Sequence, residues 1–328
     1  MRGHTNASEC LIMADIFSSL GYHVEIIDRR NTWHKPPSDV VMAIDIQRNL
    51  ERWDLPNGAI KILHATGAHW LFANRAELHR LNELRIRQGV ALRPRRQADP
   101  TCAPEVADHI VVLGNKFTEE TYGFIGKPIT RIPISSAYEF SFPENKNYEN
   151  ARKRFLWVGS YGMVHKGLDL VLEAFSQMPD LELTICGRPE KENDFFSLYK
   201  KELTHAPNIH FHGWVDMASP DFAEIARTHA SVVYPSCSEG GAGSVIHCMH
   251  AGLIPICTRE SSIDLEAFGV RINEGTVSSV KKSVRSLASM ASREIEDRSR
   301  ACWKSVREKH SAVHFRKNYA EFAAELIE

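Results

Sequence analysis

The sequence lacks any apolar run long enough to cross a bilayer. Its most apolar stretch, residues 245–257, is broken by His247, His250 and Pro255 and falls short of the ~20 residues that a spanning helix needs. No apolar segment follows the first few residues, so no secretion signal is legible and a cytoplasmic address is expected. The seven cysteines (Cys10, Cys102, Cys186, Cys237, Cys248, Cys257, Cys302) are odd in number and never form a C-x-x-C pair. That argues against a disulfide framework or a structural zinc, and they read as small reduced apolar residues. Excess charge is also missing: 40 Lys+Arg against 41 Asp+Glu leave a net −1, so no global field draws nucleic acid and none is expected as a partner. No glycine loop ends in Gly-Lys-Ser/Thr, and no G-x-G-x-x-G follows a strand with an acidic residue ~20 positions on. A triphosphate loop is thereby excluded, and a nicotinamide oxidoreductase is a weak rival.

What is present is a globular composition, 43% hydrophobic and 25% charged, over 328 residues, enough for about two domains at ~150 residues each. Helical spacing over residues 11–18 leads to Gly21, and residues 24–28 then read as a strand. Further apolar runs at 40–44, 60–63 and 110–113 read as buried strands, with a long helix over 74–88. Strand and helix in alternation predict a parallel sheet. Residues 136–154 have the composition of a linker, after which strands at 155–158, 181–185, 209–211, 231–234 and 254–257 restart the alternation. The expected organisation is an N-terminal domain over 1–135, the linker, a second domain over 155–300 and a terminal helix over 301–328. Phe315, Tyr319, Phe322 and Leu326 give that helix an apolar stripe that needs cover. A doubly wound domain opens with a central strand feeding a glycine loop. Here the glycine loop stands at Gly3, and a further strand ahead of it is expected.

Ligands of open α/β sheets sit at the carboxyl ends of the strands, where helix N-termini offer free N–H groups to anions. Two loops answer to that rule. One is Tyr234-Pro235-Ser236-Cys237-Ser238-Glu239-Gly240-Gly241-Ala242-Gly243-Ser244, whose three glycines let a phosphate approach the backbone. Alone, it also reads as a tight turn with Ser238 as cap. The other is Val158-Gly159-Ser160-Tyr161-Gly162-Met163-Val164-His165-Lys166-Gly167, where Lys166 can meet a diphosphate beside a helix dipole.

Together these loops, with Gly187, the run Asn208 to Val215, and Ala251-Gly252-Leu253-Ile254-Pro255, resemble the nucleotide-sugar half of glycosyltransferase family 4. The resemblance is strong over residues 155–269 and weaker over residues 3–24. It implies an α/β GT-B fold, two facing doubly wound Rossmann-like domains with the C-terminal helix crossing back to the first. By it, Glu239 holds hydroxyls of the donor sugar, while Lys166 and the N–H groups of Gly240, Gly241, Ala242 and Gly243 stabilise the departing diphosphate. Gly3, Gly159, Ser160, Arg188, Val215, Ser244 and His247 become substrate-binding positions, and His69, chosen over His64, touches sugar or acceptor. The chain has no D-x-D triplet, which fits a site without metal or other cofactor.

Two departures stand out. His247 occupies the place of a second glutamate, and Ser160 that of an arginine for which Arg188 could compensate. His247 and His250 lie three apart on one helix, but without a third ligand they read as structural or substrate-contacting rather than metal-binding. Arg93, Arg95 and Arg96 form a basic cluster read either as a solvated loop or as a peripheral membrane contact that attracts an anionic acceptor or lipid head group. The expectation is a retaining, metal-independent hexosyltransferase. It would move a sugar from a nucleoside diphosphate sugar to a glycan or lipid-linked acceptor, in cell-surface polysaccharide synthesis at the inner membrane face. The alternative is a catalytically weakened nucleotide-sugar-binding partner subunit.

Overall fold

The computed structural model describes residues 5–28, 31, 33–46 and 49–327. The first half runs α1 (Thr5–Ser19), β1 (Met42–Asp45), β2 (Ile60–Ala65), α2 (Trp70–Gln88), α3 (Ala103–Val106), β3 (His109–Leu113), α4 (Lys116–Tyr122) and β4 (Ile129–Ile132). These strands form one parallel sheet in the order β1-β2-β3-β4. The second half begins with α5 (Tyr148–Ala151), β5 (Arg154–Gly159), α6 (Leu168–Phe175), β6 (Glu182–Gly187), α7 (Asn193–Leu198), α8 (Lys200–His205) and β7 (Ile209–Gly213). It continues with α9 (Pro220–Thr228), β8 (Ser231–Tyr234), α10 (Gly243–His250), β9 (Ile254–Thr258), β10 (Val270–Ile272), α11 (Val277–Ala288), α12 (Ser292–Lys309) and α13 (Ala312–Ile327). A second parallel sheet has the order β10-β9-β8-β5-β6-β7. Continuous apolar runs suit strands covered on both faces. Ile110, Val111, Val112 and Leu113 of β3 and Phe155, Leu156 and Trp157 of β5 are all fully buried.

One expected strand does not form. Residues 24–28 take no regular secondary structure, and Ile26 is exposed. β1 is the edge of its sheet, and no strand occupies the slot beside it among the described residues. A parallel strand is held by its neighbour's hydrogen bonds, and apolar character in residues 24–27 does not by itself supply that neighbour.

The terminal helix α13 packs on the first half. Phe315 and Tyr319 are fully buried in one core with Met13, Ile16 and Phe17 of α1, and the Phe322 ring meets that of His109 at 4.9 Å. Arg316 pairs with Asp15 at 2.6 Å. The segment between the halves lies along the second one: Lys146 Nζ donates to the carbonyls of His229 (3.0 Å) and Gly252 (3.4 Å), and Trp303 Nε1 donates to Phe140 O (2.9 Å).

Polar contacts also join the halves across the cleft. Arg87 pairs with Asp169 (2.6 Å) and Glu173 (3.1 Å), Arg80 donates to Pro235 O (3.0 Å), and Asn115 N donates to Ser262 Oγ (3.0 Å). The carboxyl ends of both sheets therefore face each other at close range.

Candidate active site

The two loops singled out above come together at the carboxyl edge of the second sheet. β5 ends at Gly159 and β8 at Tyr234, both in the middle of that sheet. Gly167 (φ +72°) lets the loops touch, because a Cβ there would stand 2.5 Å from Pro235 O. Lys166 then reaches Glu239 Oε1 at 2.8 Å and the Tyr234 hydroxyl at 2.6 Å. The Tyr234 hydroxyl donates in turn to the same Oε1 (2.9 Å), and Ser236 Oγ lies 3.1 Å from both Oε1 and His165 O, its one proton shared between them. Oε1 is saturated, while Oε2 makes no hydrogen bond among the described residues and remains for a ligand hydroxyl.

Both charged side chains are only 11% exposed. Burial alone would raise the Glu239 pKa, yet the Lys166 ammonium, with His165 and Arg96 behind it, holds the carboxyl down at about 2. Glu239 is thus an anion at any physiological pH. His165 Nε2 donates to Ser238 O at 2.6 Å, and burial lowers its pKa. Tyr234 is fully buried and its pKa is pushed well up by burial and by Glu239, so it acts as a neutral donor.

Beside this cluster lies an anion cradle. Gly241 (φ +107°) and Ala242 (φ +32°) take left-handed conformations just before α10. None of the N–H groups of Gly240, Gly241, Ala242, Gly243 and Ser244 finds an acceptor among the described residues. Successive unpaired N–H groups at a helix N-terminus favour phosphate.

The other candidate residues divide. Gly159 ends β5, and Ser160 is exposed at the head of the Lys166 loop. Arg188 stacks over the Trp214 ring at 5.1 Å, beside the buried Val215. His247 faces the linker: its Nε2 accepts from Ala137 N (3.3 Å), its ring lies 5.2 Å from that of Tyr138, and burial lowers its pKa to about 4. His250 Nε2 donates instead to His310 O (3.3 Å). Among the described residues no group of three or more His, Cys, Asp or Glu side chains could hold a metal ion. His69 caps α2, its Nδ1 accepting from Leu71 N (3.3 Å), and its ring packs among Trp70, Tyr122 and Phe124. His64 is buried against Tyr319, with ring centroids 5.8 Å apart. Gly3 lies outside the described residues.

The basic cluster does not stand free. Arg95 pairs with Asp194 of the second half (2.6 Å), and Arg96 lies against Gly162. Reasoning from sequence missed Tyr234, Ser236 and Glu192, whose carboxylate accepts the N–H groups of Gly162 (2.6 Å) and Met163 (3.2 Å). The position of Tyr234 at a strand end just before Pro235 was the available signal. The cleft is narrow here: a Cβ on Gly240 would stand 2.3 Å from Thr66 O, and the space between Arg93, Arg95, Gly162 and Asp194 is about 10 Å³. A roomier cavity of about 370 Å³ opens between residues 55–61 and Asp108, at the amino end of the first sheet and away from these loops.

Residues 152–290 match the family described as glycosyl transferases group 1. No curated protein matches the chain. Among solved structures, the chain is similar along its whole length to WaaG, a glycosyltransferase involved in lipopolysaccharide biosynthesis, with 14% identity, 96% of that chain covered and a TM-score of 0.58. Anabaena HepE, solved with UDP and glucose, is 9% identical, with 80% of this chain and 71% of that one covered and a TM-score of 0.56. S. aureus TarM, solved in a mutant form with Fondaparinux, alpha-GlcNAc-glycerol and UDP, is 13% identical over 66% of this chain, at a TM-score of 0.52. The chain spans 43% of TarM. At these identities the structures speak for the fold. Residues 152–290 are thus similar to the glycosyl transferases group 1 family, and the chain as a whole has the GT-B fold.

Proposed function

We propose that this protein is a retaining, metal-independent glycosyltransferase that transfers a sugar from a nucleoside diphosphate to a glycan or lipid-linked acceptor. One observation carries the reading: the Lys166–Glu239 pair, 2.8 Å apart, adjoins five consecutive N–H groups that find no acceptor among the described residues. In the reaction the bond from the anomeric carbon to the diphosphate oxygen breaks with its electron pair on oxygen. The acceptor hydroxyl oxygen bonds to that carbon, and its proton leaves with the departing diphosphate. Negative charge grows on the leaving oxygen, where fixed N–H donors and the Lys166 ammonium stabilise it without reorganisation. Glu239 Oε2 accepts a sugar hydroxyl and so orients the ring. Cell-surface polysaccharide as the acceptor, and retention itself, rest on the family likeness and on relatives such as WaaG.

The close approach of Gly240 to Thr66 leaves little room there for a donor, so on this reading the halves part to admit one. That contact, with Glu192 already filling two N–H groups of the Lys166 loop, favours a second reading, a nucleotide-sugar-binding partner subunit with little turnover. Incubation with UDP-, GDP- and ADP-sugars in the presence of EDTA, scored by nucleoside diphosphate release, decides between them. Release above the level of Glu239→Gln, with an axial-to-axial product by NMR when an acceptor is supplied, is expected. Tight donor binding without release would favour the partner subunit, and absence of binding would overturn both.

A further inference from the structure

The Lys166 loop carries one cation, and a basic segment of the first half lies against the same loop. Residues 93–97 follow α2 and reach over the cleft. Glu77, buried in α2, accepts the backbone N–H groups of Arg95 (2.9 Å) and Arg96 (2.8 Å) and the Gln97 side chain (2.7 Å). From the opposite side Asp194 accepts Arg93 N (3.1 Å) and the Arg95 guanidinium (2.6 Å). Two carboxylates thereby pin the segment and neutralise Arg95, whereas the Arg96 guanidinium makes no ion pair among the described residues. The Arg96 stem lies flat on Gly162: a Cβ there would stand 2.5 Å from its Cγ and 3.0 Å from its Cδ. Any side chain at 162 would displace it.

We propose that Arg96 is a diphosphate-binding residue of the donor site, delivered across the cleft by the first half of the molecule. Lys166 and Arg96 against Glu239 give a net charge of +1, to which the α10 N-terminus adds about half a charge. That balance suits a dianion. The Arg96 charge helps to lower the pKa values of Glu239, Tyr234 and His165, so the guanidinium lies within electrostatic range of the cluster. Because Arg96 and Lys166 belong to different halves, a bound diphosphate would also hold the cleft shut.

The inference rests on the donor-site reading above, and calorimetric titration of the full chain separates the two. UDP, GDP and ADP are each compared with their nucleosides on wild type, Arg96→Ala, Arg96→Lys and Arg93→Ala. Arg96→Ala should weaken the preferred diphosphate about tenfold or more and leave its nucleoside unchanged, since a charge-assisted phosphate contact is lost. Arg96→Lys should recover part of that loss, and Arg93→Ala should stay within about twofold of wild type. If wild type prefers diphosphate and Arg96→Ala keeps the full preference, or weakens the nucleoside equally, Arg96 has no phosphate role although the donor site stands. Were wild type itself to bind diphosphate no better than nucleoside, the donor-site reading would fail and this one with it.

Discussion

Glu239→Gln tests the centre of the site in two ways at once. Glutamine keeps the shape and can still accept from Tyr234 and Ser236, so what it removes is the charge opposite Lys166. In the native state the Glu239 carboxyl titrates at about 2 against an ordinary 4.5. At ~1.36 kcal/mol per unit that difference stabilises the folded state by about 3 kcal/mol at pH 7. The value agrees in order with the ~3–5 kcal/mol lost when one partner of a buried pair is removed. Because the folded pKa is depressed, the contribution is fully present above pH 4.5 and is lost as the pH falls towards 2. Urea unfolding followed by tryptophan fluorescence should therefore show Glu239→Gln about 3 kcal/mol less stable at pH 7, with the gap more than halved at pH 3. Lys166→Met should be similarly destabilised, and the double variant should recover part of the loss because no unpaired charge remains. Sugar transfer per folded molecule should fall by at least about a hundredfold in Glu239→Gln. A gap that is absent at pH 7 or equal at pH 3, or strictly additive single losses, would refute the pairing argument. Retained activity in a destabilised variant would make Glu239 structural.

Three further perturbations probe the frame around the site. Glu9 is buried, accepts Ser135 N (2.8 Å) on one oxygen, and has its pKa raised by burial to about 7. A raised carboxyl lowers stability as the pH climbs from 4.5 to 7, so Glu9→Gln should flatten that slope and be the more stable protein at pH 8 by up to about 3 kcal/mol; a less stable variant at pH 8 would contradict this. Phe315→Ala, which empties a fully buried ring position between α13 and α1, should cost about 3–5 kcal/mol and loosen hydrogen-exchange protection in α1 as well as in α13. Protection lost in α13 alone would deny the coupling. Gly240→Ala sets a methyl 2.3 Å from Thr66 O, so it should open the cleft, visible as a larger radius of gyration in X-ray scattering, and an unchanged profile would show that the contact yields locally.

Much of the fold was legible because local pattern reports local burial. Apolar runs of strand length alternating with helical spacing are what a sheet covered on both faces demands, and the strands around 60–65, 109–113, 154–159 and 231–234 follow that demand. Residues 24–28 have the same local character and form no strand, because pairing depends on an occupied neighbouring slot. Lys166 and Glu239 could be singled out because strand, small-residue loop and helix succeed one another along the chain, and that succession alone places a loop at the carboxyl edge of a parallel sheet. His69 satisfied the same rule, yet it serves as the cap of α2, since a free backbone N–H two residues on lies within its reach.

The sequence by itself determined two parallel sheets, the carboxyl edges that carry the candidate site, and the one lysine and one glutamate placed there. Only the tertiary structure decided that Lys166 and Glu239, 73 positions apart, meet through Tyr234, and that His247 turns to the linker. It also decided that Arg96 lies on the glycine of a loop more than sixty residues away. The reason is that periodicity records which face of a segment leaves water, whereas a charge pair depends on distances between segments that only the packed core sets.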